Sequence, residues 1–198
     1  MKKRVAILIS GNGSNMVELV QSMGSDHPGT AALVLSNNPD ALGLSHAEKL
    51  GVPIGSLDHR PFDKDRAAYD VALHEFLSDH DIDFICLAGF MRILTGKFVS
   101  LWEQKIFNIH PSLLPKYKGL RTHQRAIDAG DREAGCSVHL VASELDSGPV
   151  LGQARVKIFE NDTASLLGQR VLVQEHRLYP LVLKRFLSGE RNLLLLAD

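Results

Sequence analysis

The first fifteen residues place an unbroken apolar run directly before a glycine-rich turn. Residues 5–9 (VAILI) are all apolar, and residues 10–15 (SGNGSN) follow without a spacer. Such a run predicts a strand covered on both faces, which is typical of parallel sheets. Apolar residues then recur at positions 16, 19, 20 and 23, the spacing of one helix face. This strand, turn and helix predict an α/β fold.

The alternation of apolar runs with helical patterns continues through the first half. We predict further strands at residues 31–36, 52–57 and 84–88, with helices at 40–50 and around 69–76. Parallel strands joined through helices form right-handed crossovers and build one sheet with helices on both faces. The predicted fold class is therefore α/β, with a doubly wound, mostly parallel sheet and a Rossmann-like N-terminal half.

The second half combines shorter strands with one long helix. Residues 106–109 predict a strand that ends in a proline-rich loop, and residues 137–141 and 150–159 predict two strands joined by a turn-rich connector. A final helix is expected after Asp162 and Thr163, with a kink or break at Pro180. We expect one domain over residues 1–198, made of halves 1–100 and 101–198.

Charge and cysteine content exclude several classes of protein. The 22 basic and 23 acidic side chains give a net charge of −1, so nucleic-acid binding is not expected. No apolar run approaches the roughly 20 residues of a membrane span, and the N-terminal run is too short for a signal peptide. Cys86 and Cys136 lack a CxxC spacing, which suits a reducing compartment. These features predict a cytoplasmic protein without membrane contact.

The glycine-rich turn is a candidate site for a single phosphate group. Glycines let backbone N–H groups approach an anion, and the N-terminus of the next helix adds partial positive charge. The sequence matches neither GxxxxGK[ST] nor GxGxxG, and residues 36–38 (SNN) offer no acidic side chain for a dinucleotide ribose. A monophosphate site is favoured, although a tight turn without a ligand fits the same residues. Ser14 and Asn15 fit either as helix caps or as phosphate contacts.

Asn108 and His110 indicate acid–base chemistry. Separated only by Ile109, they lie on one side of a predicted strand end, where ligands bind in doubly wound sheets. A histidine exchanges protons near neutral pH, and an asparagine amide can donate a hydrogen bond to an oxyanion. No GxSxG nucleophile motif accompanies them. The alternative is a loop histidine that hydrogen-bonds to the backbone.

An acidic residue between the last two predicted strands would orient His110. Asp146 is the candidate, since a carboxylate next to an imidazole stabilises the protonated ring and fixes its tautomer. Turns also favour aspartate for local reasons, and Glu144 competes for the role. A zinc triad of His110, His123 and His139 is conceivable, but no HExxH or CxxC spacing accompanies it, so no metal is expected.

Four segments together resemble one enzyme family. They are residues 11–15 (GNGSN), 87–94 (LAGFMRIL), 108–115 (NIHPSLLP) and 144–149 (ELDSGP), in the family's order along nearly the whole chain. The third segment is similar to the formyltetrahydrofolate-using superfamily, and the first resembles its phosphoribosylglycinamide formyltransferase branch. The resemblance implies transfer of a formyl group from 10-formyltetrahydrofolate, a co-substrate, to the amine of 5'-phosphoribosylglycinamide in de novo purine biosynthesis. It implies no metal.

The resemblance also implies roles for individual residues. The catalytic set would be Asn108, His110 and Asp146, acting when the substrate amine attacks the formyl carbon and an oxyanion develops. Half 1–100 would bind the phosphate-bearing nucleotide, and half 101–198 would supply catalytic and folate-binding residues. Ribonucleotide contacts are implied for Gly11, Asn12, Gly13, Ser14, Asn15 and Glu175. Folate contacts are implied for Arg66, Met91, Arg92, Ile93, Leu94 and Asn108.

Other functions compete with this one. A formyltetrahydrofolate hydrolase would use the same catalytic set with water in place of the amine, although such relatives usually have an extra N-terminal domain. A methionyl-tRNA formyltransferase has an added C-terminal domain and a basic surface, which the length and charge do not suggest. A phosphate or folate binding module would not need the catalytic set. Only small-molecule partners are expected, and a homodimer is left open.

Overall fold

A computed structural model describes residues 1–196 of the chain. Its strands are β1 (Lys3–Ile9), β2 (Gly29–Ser36), β3 (Ile54–Ser56), β4 (Phe84–Leu87), β5 (Ile106–His110), β6 (Glu133–Leu140), β7 (Val150–Lys157) and β8 (Leu194–Leu196). Its α-helices are α1 (Ser14–Ser22), α2 (Leu42–Lys49), α3 (Arg66–Asp79), α4 (Gly96–Leu101), α5 (Thr122–Asp128) and α6 (Ala164–Leu187). A short 3-10 helix (Arg60–Phe62) precedes α3.

The strands form a sheet in the order β3-β2-β1-β4-β5-β6-β7-β8. Strand β1 pairs in parallel with β2 and β4, and β2 pairs in parallel with β3. The prediction of an α/β fold with a mostly parallel sheet is confirmed. Among residues 1–196, no helix is long and apolar enough to cross a membrane.

The chain divides into two compact units, Met1–Phe107 and Asn108–Asp198. In the first unit, β1 lies between β2 and β4, and its five apolar residues from Val5 to Ile9 have no exposed surface. This burial on both faces is what the unbroken apolar run predicts. The expectation of a single domain with halves 1–100 and 101–198 stays a prediction.

The second unit contains the antiparallel pair β6 and β7, with β8 parallel to β7. Helix α6 packs on β6 and β7, and its N-terminus is capped by Thr163, whose hydroxyl accepts from the Leu166 N–H at 3.2 Å. Of the predicted kink or break at Pro180, the break is wrong, because α6 continues through the proline. Buried side chains on both sides of the proline, including Tyr179 and Val182, hold the helix against the sheet and offset the missing hydrogen bond.

Candidate active site

The glycine loop (residues 11–15) connects β1 to α1 through a left-handed turn at Gly13. Gly13 has φ of 73°, and a Cβ there would lie 3.0 Å from Met16 Cε and 3.2 Å from Gly43 Cα. Both the backbone conformation and the space therefore require glycine. Helix α1 begins without a side-chain cap, and its first helical bond runs from the Val17 N–H to the Gly13 carbonyl. The N–H groups of the first turn are thus not used by the helix itself.

The carbonyl groups of the glycine loop are held by α2. The Gly43 N–H donates to the Gly11 carbonyl at 3.0 Å, and His46 Nδ1 lies 3.2 Å from the Asn12 carbonyl oxygen. With its acceptors engaged on one side, the loop has its N–H groups available for an anion. The side chains of Asn12 and Ser14 are exposed, whereas Asn15 is buried.

A second segment of the first unit, the anchored segment (residues 91–95), follows β4. Its first N–H, from Met91, donates to Ser10 Oγ at 2.8 Å. Its last N–H, from Thr95, donates to the buried carboxylate of Asp70 at 2.6 Å. The backbone is therefore fixed at both ends by side chains from β1's end and from α3.

The side chains of the anchored segment differ in exposure. Met91 is 71% exposed and Ile93 is 55% exposed, while Leu94 is buried. The Arg92 guanidinium lies over the Tyr69 ring, 4.3 Å from its centroid. Exposed apolar groups on a fixed backbone form a surface suited to a flat ligand. Arg66, the other predicted folate contact, begins α3 with an exposed side chain.

In the second unit, His110 lies between a carboxylate and a carbonyl. Its Nδ1 is 3.4 Å from Asp146 Oδ2, and its Nε2 is 2.9 Å from the carbonyl oxygen of Tyr117. Both oxygens accept hydrogen bonds, so only a ring with both protons donates to both. His110 is 6% exposed, which strengthens each of these interactions relative to water.

Asp146 is placed by close approach between the connector and β6. A Cβ on Gly148 would lie 1.8 Å from the Leu140 carbonyl oxygen, so only glycine lets the two segments touch. Asp146 itself has φ of 48°, and its Oδ2 accepts from the Gly119 N–H at 2.9 Å. The carboxylate is thereby fixed by the backbone of the loop after β5 as well as by His110.

His139 completes what we call the histidine cluster (Asn108, His110, His139 and Asp146). Its Nδ1 lies 2.9 Å from the Leu140 carbonyl and must donate there, so Nε2 of the neutral ring accepts from Asn108 Nδ2 at 3.1 Å. Asp146 Oδ1 is 3.7 Å from the same Nε2. Burial lowers the pKa of His139 and outweighs the opposite effects of the Leu140 carbonyl and of Asp146. The ring is therefore neutral at pH 7.

The cluster shows which acidic residue of the connector lies beside His110, and it includes His139, for which the sequence pattern predicts no such place. Asp146 lies beside His110, whereas Glu144 points to solvent with a 79% exposed side chain and forms a surface pair with Lys118 at 3.6 Å. His139 enters the sequence analysis only as a conceivable zinc ligand. Its position at the end of β6, next to the connector, is the sequence signal for its place in the cluster.

Two further titratable residues of the second unit, Glu175 and His123, take part in electrostatic interactions with Cys136 and His110. Glu175 is buried on α6. The pKa of the Cys136 thiol on β6 is raised mainly by burial of that thiol and, to a smaller extent, by the negative charge of Glu175. His123 is the second residue of α5. Burial is the larger cause that lowers its pKa, and the electrostatic effect of His110 is the smaller one. Among residues 1–196, no group of three or more His, Cys, Asp or Glu side chains is arranged to hold a metal ion.

A cavity of about 810 Å³ in the second unit lies outside the histidine cluster. Its walls include Leu114 and Tyr117 from the loop after β5 and Gln153 from β7, but none of the predicted catalytic side chains. The cations at its rim include Lys116, which pairs with Asp131 at 2.9 Å. Cavity size therefore does not locate the chemistry in this unit.

The chemistry of the histidine cluster follows from its side chains. They are an amide, two imidazoles and a carboxylate, and none is an alcohol or a thiol. Such a set can donate hydrogen bonds to an oxyanion and can transfer protons. The cluster is therefore suited to attack on a carbonyl by an external nucleophile, without a covalent enzyme intermediate.

Comparison with known proteins agrees with this chemistry. Residues 3–183 match the model of the family described as formyl transferase. The phosphoribosylglycinamide formyltransferase of Escherichia coli is 45% identical over 93% of this chain and 87% of its own length. The crystal structure of the Brucella melitensis phosphoribosylglycinamide formyltransferase has a TM-score of 0.89 at 45% identity, covering 96% of this chain and 97% of that one.

Other relatives are longer proteins. The trifunctional purine biosynthetic protein adenosine-3 of Chironomus tentans is 46% identical over 95% of this chain, which spans only 14% of that protein. In the Bos taurus protein of the same name, this chain spans 19% of the length. Because the family model covers most of the sequence, the chain belongs to the formyl transferase family.

Proposed function

We propose that this chain is a phosphoribosylglycinamide formyltransferase, which transfers the formyl group of 10-formyltetrahydrofolate to the amine of 5'-phosphoribosylglycinamide. The observation that supports it best is His110 buried between Asp146 and a carbonyl group, with Asn108 held two residues away on the same strand. Relatives of nearly the same length have this name. A formyltetrahydrofolate hydrolase would use the same Asn108, His110 and Asp146, so the acceptor distinguishes the two enzymes.

In the proposed reaction, the amine nitrogen bonds to the formyl carbon and the carbonyl electron pair moves to oxygen. Protonated His110 and the Asn108 amide donate to this oxyanion. The C=O bond then re-forms, the bond to the folate nitrogen breaks, that nitrogen takes a proton and the former amine loses one. Asp146, next to Nδ1 of His110, directs the imidazole ring.

Tyr117 has a part in this proposal because its carbonyl occupies one donor of His110. The Nε2–H of His110 donates to this carbonyl at 2.9 Å. An oxyanion that accepts from Nε2 takes the place of the Tyr117 oxygen as its partner. The loop after β5 therefore has to change its contact with His110 when substrate binds. Tyr117 has φ of 55°, an uncommon conformation for a large side chain.

His139 is proposed to orient the amide of Asn108. Because neutral His139 accepts at Nε2, the Asn108 nitrogen turns toward it and the second N–H of the amide stays available for the oxyanion. A charged His139 would no longer accept at Nε2 and would compete for Asp146. We therefore propose His139 as a positioning residue whose lowered pKa keeps it neutral.

The substrates are proposed to contact other residues through simple chemistry. The amide groups of the glycine loop would bind the phosphate, with the side chains of Asn12 and Ser14 beside it. The exposed apolar side chains of the anchored segment would contact the folate ring, and the cations Arg66 and Arg92 would attract folate carboxylates. Glu175 would contact the ribonucleotide. A crystal structure with both substrates bound would test these proposed contacts directly.

The proposal also includes the setting of the reaction. We propose a cytoplasmic enzyme whose partners are the two small-molecule substrates, with neither nucleic acid nor a metal taking part. The balanced charge of the chain supports the absence of nucleic acid among its partners. A homodimer is left open, and analytical ultracentrifugation measures it directly.

An absorbance assay with a 10-formyl folate donor tests the proposed function. We expect deformylation of the donor only when 5'-phosphoribosylglycinamide is present, with one formylated product formed for each donor consumed. Deformylation at the same rate without the ribonucleotide would assign the hydrolase activity instead. Tight binding of either ligand without turnover would assign a binding module, and Asn108→Ala provides an inactive protein for the baseline.

A further inference from the structure

Ser10 stands between two segments for which the proposed function assigns different substrates. It follows the last residue of β1 and directly precedes Gly11 of the glycine loop. The same hydroxyl accepts the N–H of Met91, the first residue of the anchored segment, at 2.8 Å. A residue covalently joined to one loop thus hydrogen-bonds the backbone of the other, although 81 positions separate the two partners in sequence.

The hydroxyl of Ser10 both accepts and donates a hydrogen bond. While its oxygen accepts from Met91, its hydrogen is donated to Asn37 Oδ1 at the end of β2. Asn37 is 5% exposed, and its backbone carbonyl oxygen lies 2.8 Å from His59 Nδ1. Ser10 is therefore attached to a buried, hydrogen-bonded base, and a movement of its backbone is passed to Met91 rather than absorbed by rotation of its side chain.

The other end of the anchored segment has no such link to the glycine loop. The Thr95 N–H donates to Asp70, which belongs to α3. Loss of Asp70 would loosen the surface formed by Met91 and Ile93 without touching the glycine loop. Loss of the Ser10 hydroxyl would instead separate the two segments while leaving the Asp70 anchor intact. The two ends of one segment therefore provide two distinguishable perturbations.

We propose that Ser10 is a positioning residue that couples ribonucleotide binding at the glycine loop to folate binding at the anchored segment. The inference rests on the proposed function, because that function assigns the two substrates to the two segments. When bound phosphate shifts the backbone of the glycine loop, Ser10 moves with it and its hydroxyl carries the Met91 N–H into the position that folate requires. By linkage, bound folate favours the ribonucleotide by the same factor.

The size of the coupling is bounded by the interaction that transmits it. Loss of a single neutral hydrogen bond changes an equilibrium by about threefold to tenfold. We therefore expect ribonucleotide at saturation to tighten folate binding by about threefold to tenfold in the unmodified chain. In Ser10→Ala the coupling factor falls toward one, and Ser10→Thr, which keeps the hydroxyl, restores most of it.

Isothermal titration calorimetry with 5'-phosphoribosylglycinamide and tetrahydrofolate measures this factor. Tetrahydrofolate has no formyl group, so no reaction disturbs the binding equilibrium. Each ligand is titrated alone and then in the presence of the other, for the unmodified chain, Ser10→Ala and Ser10→Thr. Asp70→Ala should weaken tetrahydrofolate binding by itself but keep the coupling factor. Ser78→Ala, an exposed serine whose hydroxyl donates within α3, should change neither.

The outcomes separate failure of this inference from failure of the proposed function. If neither ligand binds the unmodified chain, the proposed function is wrong. If both bind but the unmodified chain shows no coupling, or if Ser10→Ala keeps the full coupling, the role of Ser10 is wrong. A loss of the coupling in Ser10→Ala, with each single-ligand affinity kept within about threefold and the coupling restored in Ser10→Thr, supports it. A loss of thermal stability in Ser10→Ala with the coupling lost in Ser10→Thr as well would overturn it in favour of a structural role.

Discussion

The glycine loop and the histidine cluster are built in different ways. The loop consists of five consecutive residues, presents backbone N–H groups and is largely exposed. The cluster brings together side chains from β5, β6 and the connector, and His110, His139 and Asp146 are each less than a tenth exposed. The loop depends on the conformation of one glycine, whereas the cluster depends on several segments meeting at hydrogen-bond distance.

The two sites are therefore sensitive to different kinds of substitution. Backbone groups recognise an anion through their position, so substitutions act on the loop mainly by changing its conformation. In the cluster, each side chain has a chemical task, and burial makes an unpaired group costly. We therefore expect the largest effects on turnover from the cluster and the clearest effects on conformation from the loop.

His110→Ala is expected to have the largest effect. The substitution removes a charged donor to the oxyanion, and turnover should fall by about 100-fold to 10,000-fold. The absorbance assay with both substrates measures kcat, and calorimetry tests whether the substrates still bind. As a control, His80→Ala, at the C-terminal end of α3, should leave turnover nearly unchanged. Turnover of His110→Ala near the original rate would contradict the proposed mechanism.

Asp146→Asn and Glu144→Ala form a pair that tests the connector. The asparagine keeps an oxygen for the Gly119 N–H but loses the negative charge beside His110, so turnover should fall by about 100-fold. Glu144 is exposed and pairs only at the surface, so Glu144→Ala should change turnover by less than about twofold. Equal losses in the two variants would mean that the charge of Asp146 has no special role.

Gly13→Ala and Gly11→Ala compare two positions of the glycine loop. In Gly13→Ala the alanine is held in the left-handed backbone conformation, and its Cβ lies too close to Met16 and Gly43. The free energy of unfolding should therefore fall by about 1–2 kcal/mol. A Cβ on Gly11 meets nothing within 4 Å, so this variant should stay within about 0.5 kcal/mol of the original chain. Urea unfolding measures both values, and equal losses would contradict the conformational argument.

The smallest expected effect is on the pH dependence of stability. Burial lowers the pKa of His139 below the ordinary histidine value of 6.5, so the unfolded chain binds more protons than the folded chain once the pH falls below that value. The free energy of unfolding should therefore decrease as the pH falls below 6.5. His139→Gln should make this decrease shallower in urea titrations at several pH values. Parallel curves for the two proteins would show that His139 does not contribute.

The features that the sequence predicts well are those with a local cause. The five apolar residues of β1 are buried on both faces, and the strand and helix alternation of the first unit gives the expected parallel pairing. The cap at Thr163 lies where the pattern of α6 begins. Each of these depends on periodicity or on a hydrogen bond within a few residues, and neighbouring residues are sufficient to encode it.

Other features were missed or left undecided because their causes are distant in sequence. Helix α6 continues through Pro180 because the sheet holds it, and the apolar end of the chain forms β8 beside β7. Helices α4 and α5, with six and seven residues, are too short to give a clear period. For α6 and β8, a contact with another element decided the local structure.

Local patterns are enough to predict the fold class, the glycine loop and which residues can perform acid–base chemistry. Contacts between distant segments put Asp146 rather than Glu144 beside His110, add His139 to them, and bring Ser10 to Met91. Backbone propensity and periodicity act between neighbours, whereas a hydrogen bond between distant residues exists only after close approaches, such as that of Gly148 to Leu140, have been packed into place.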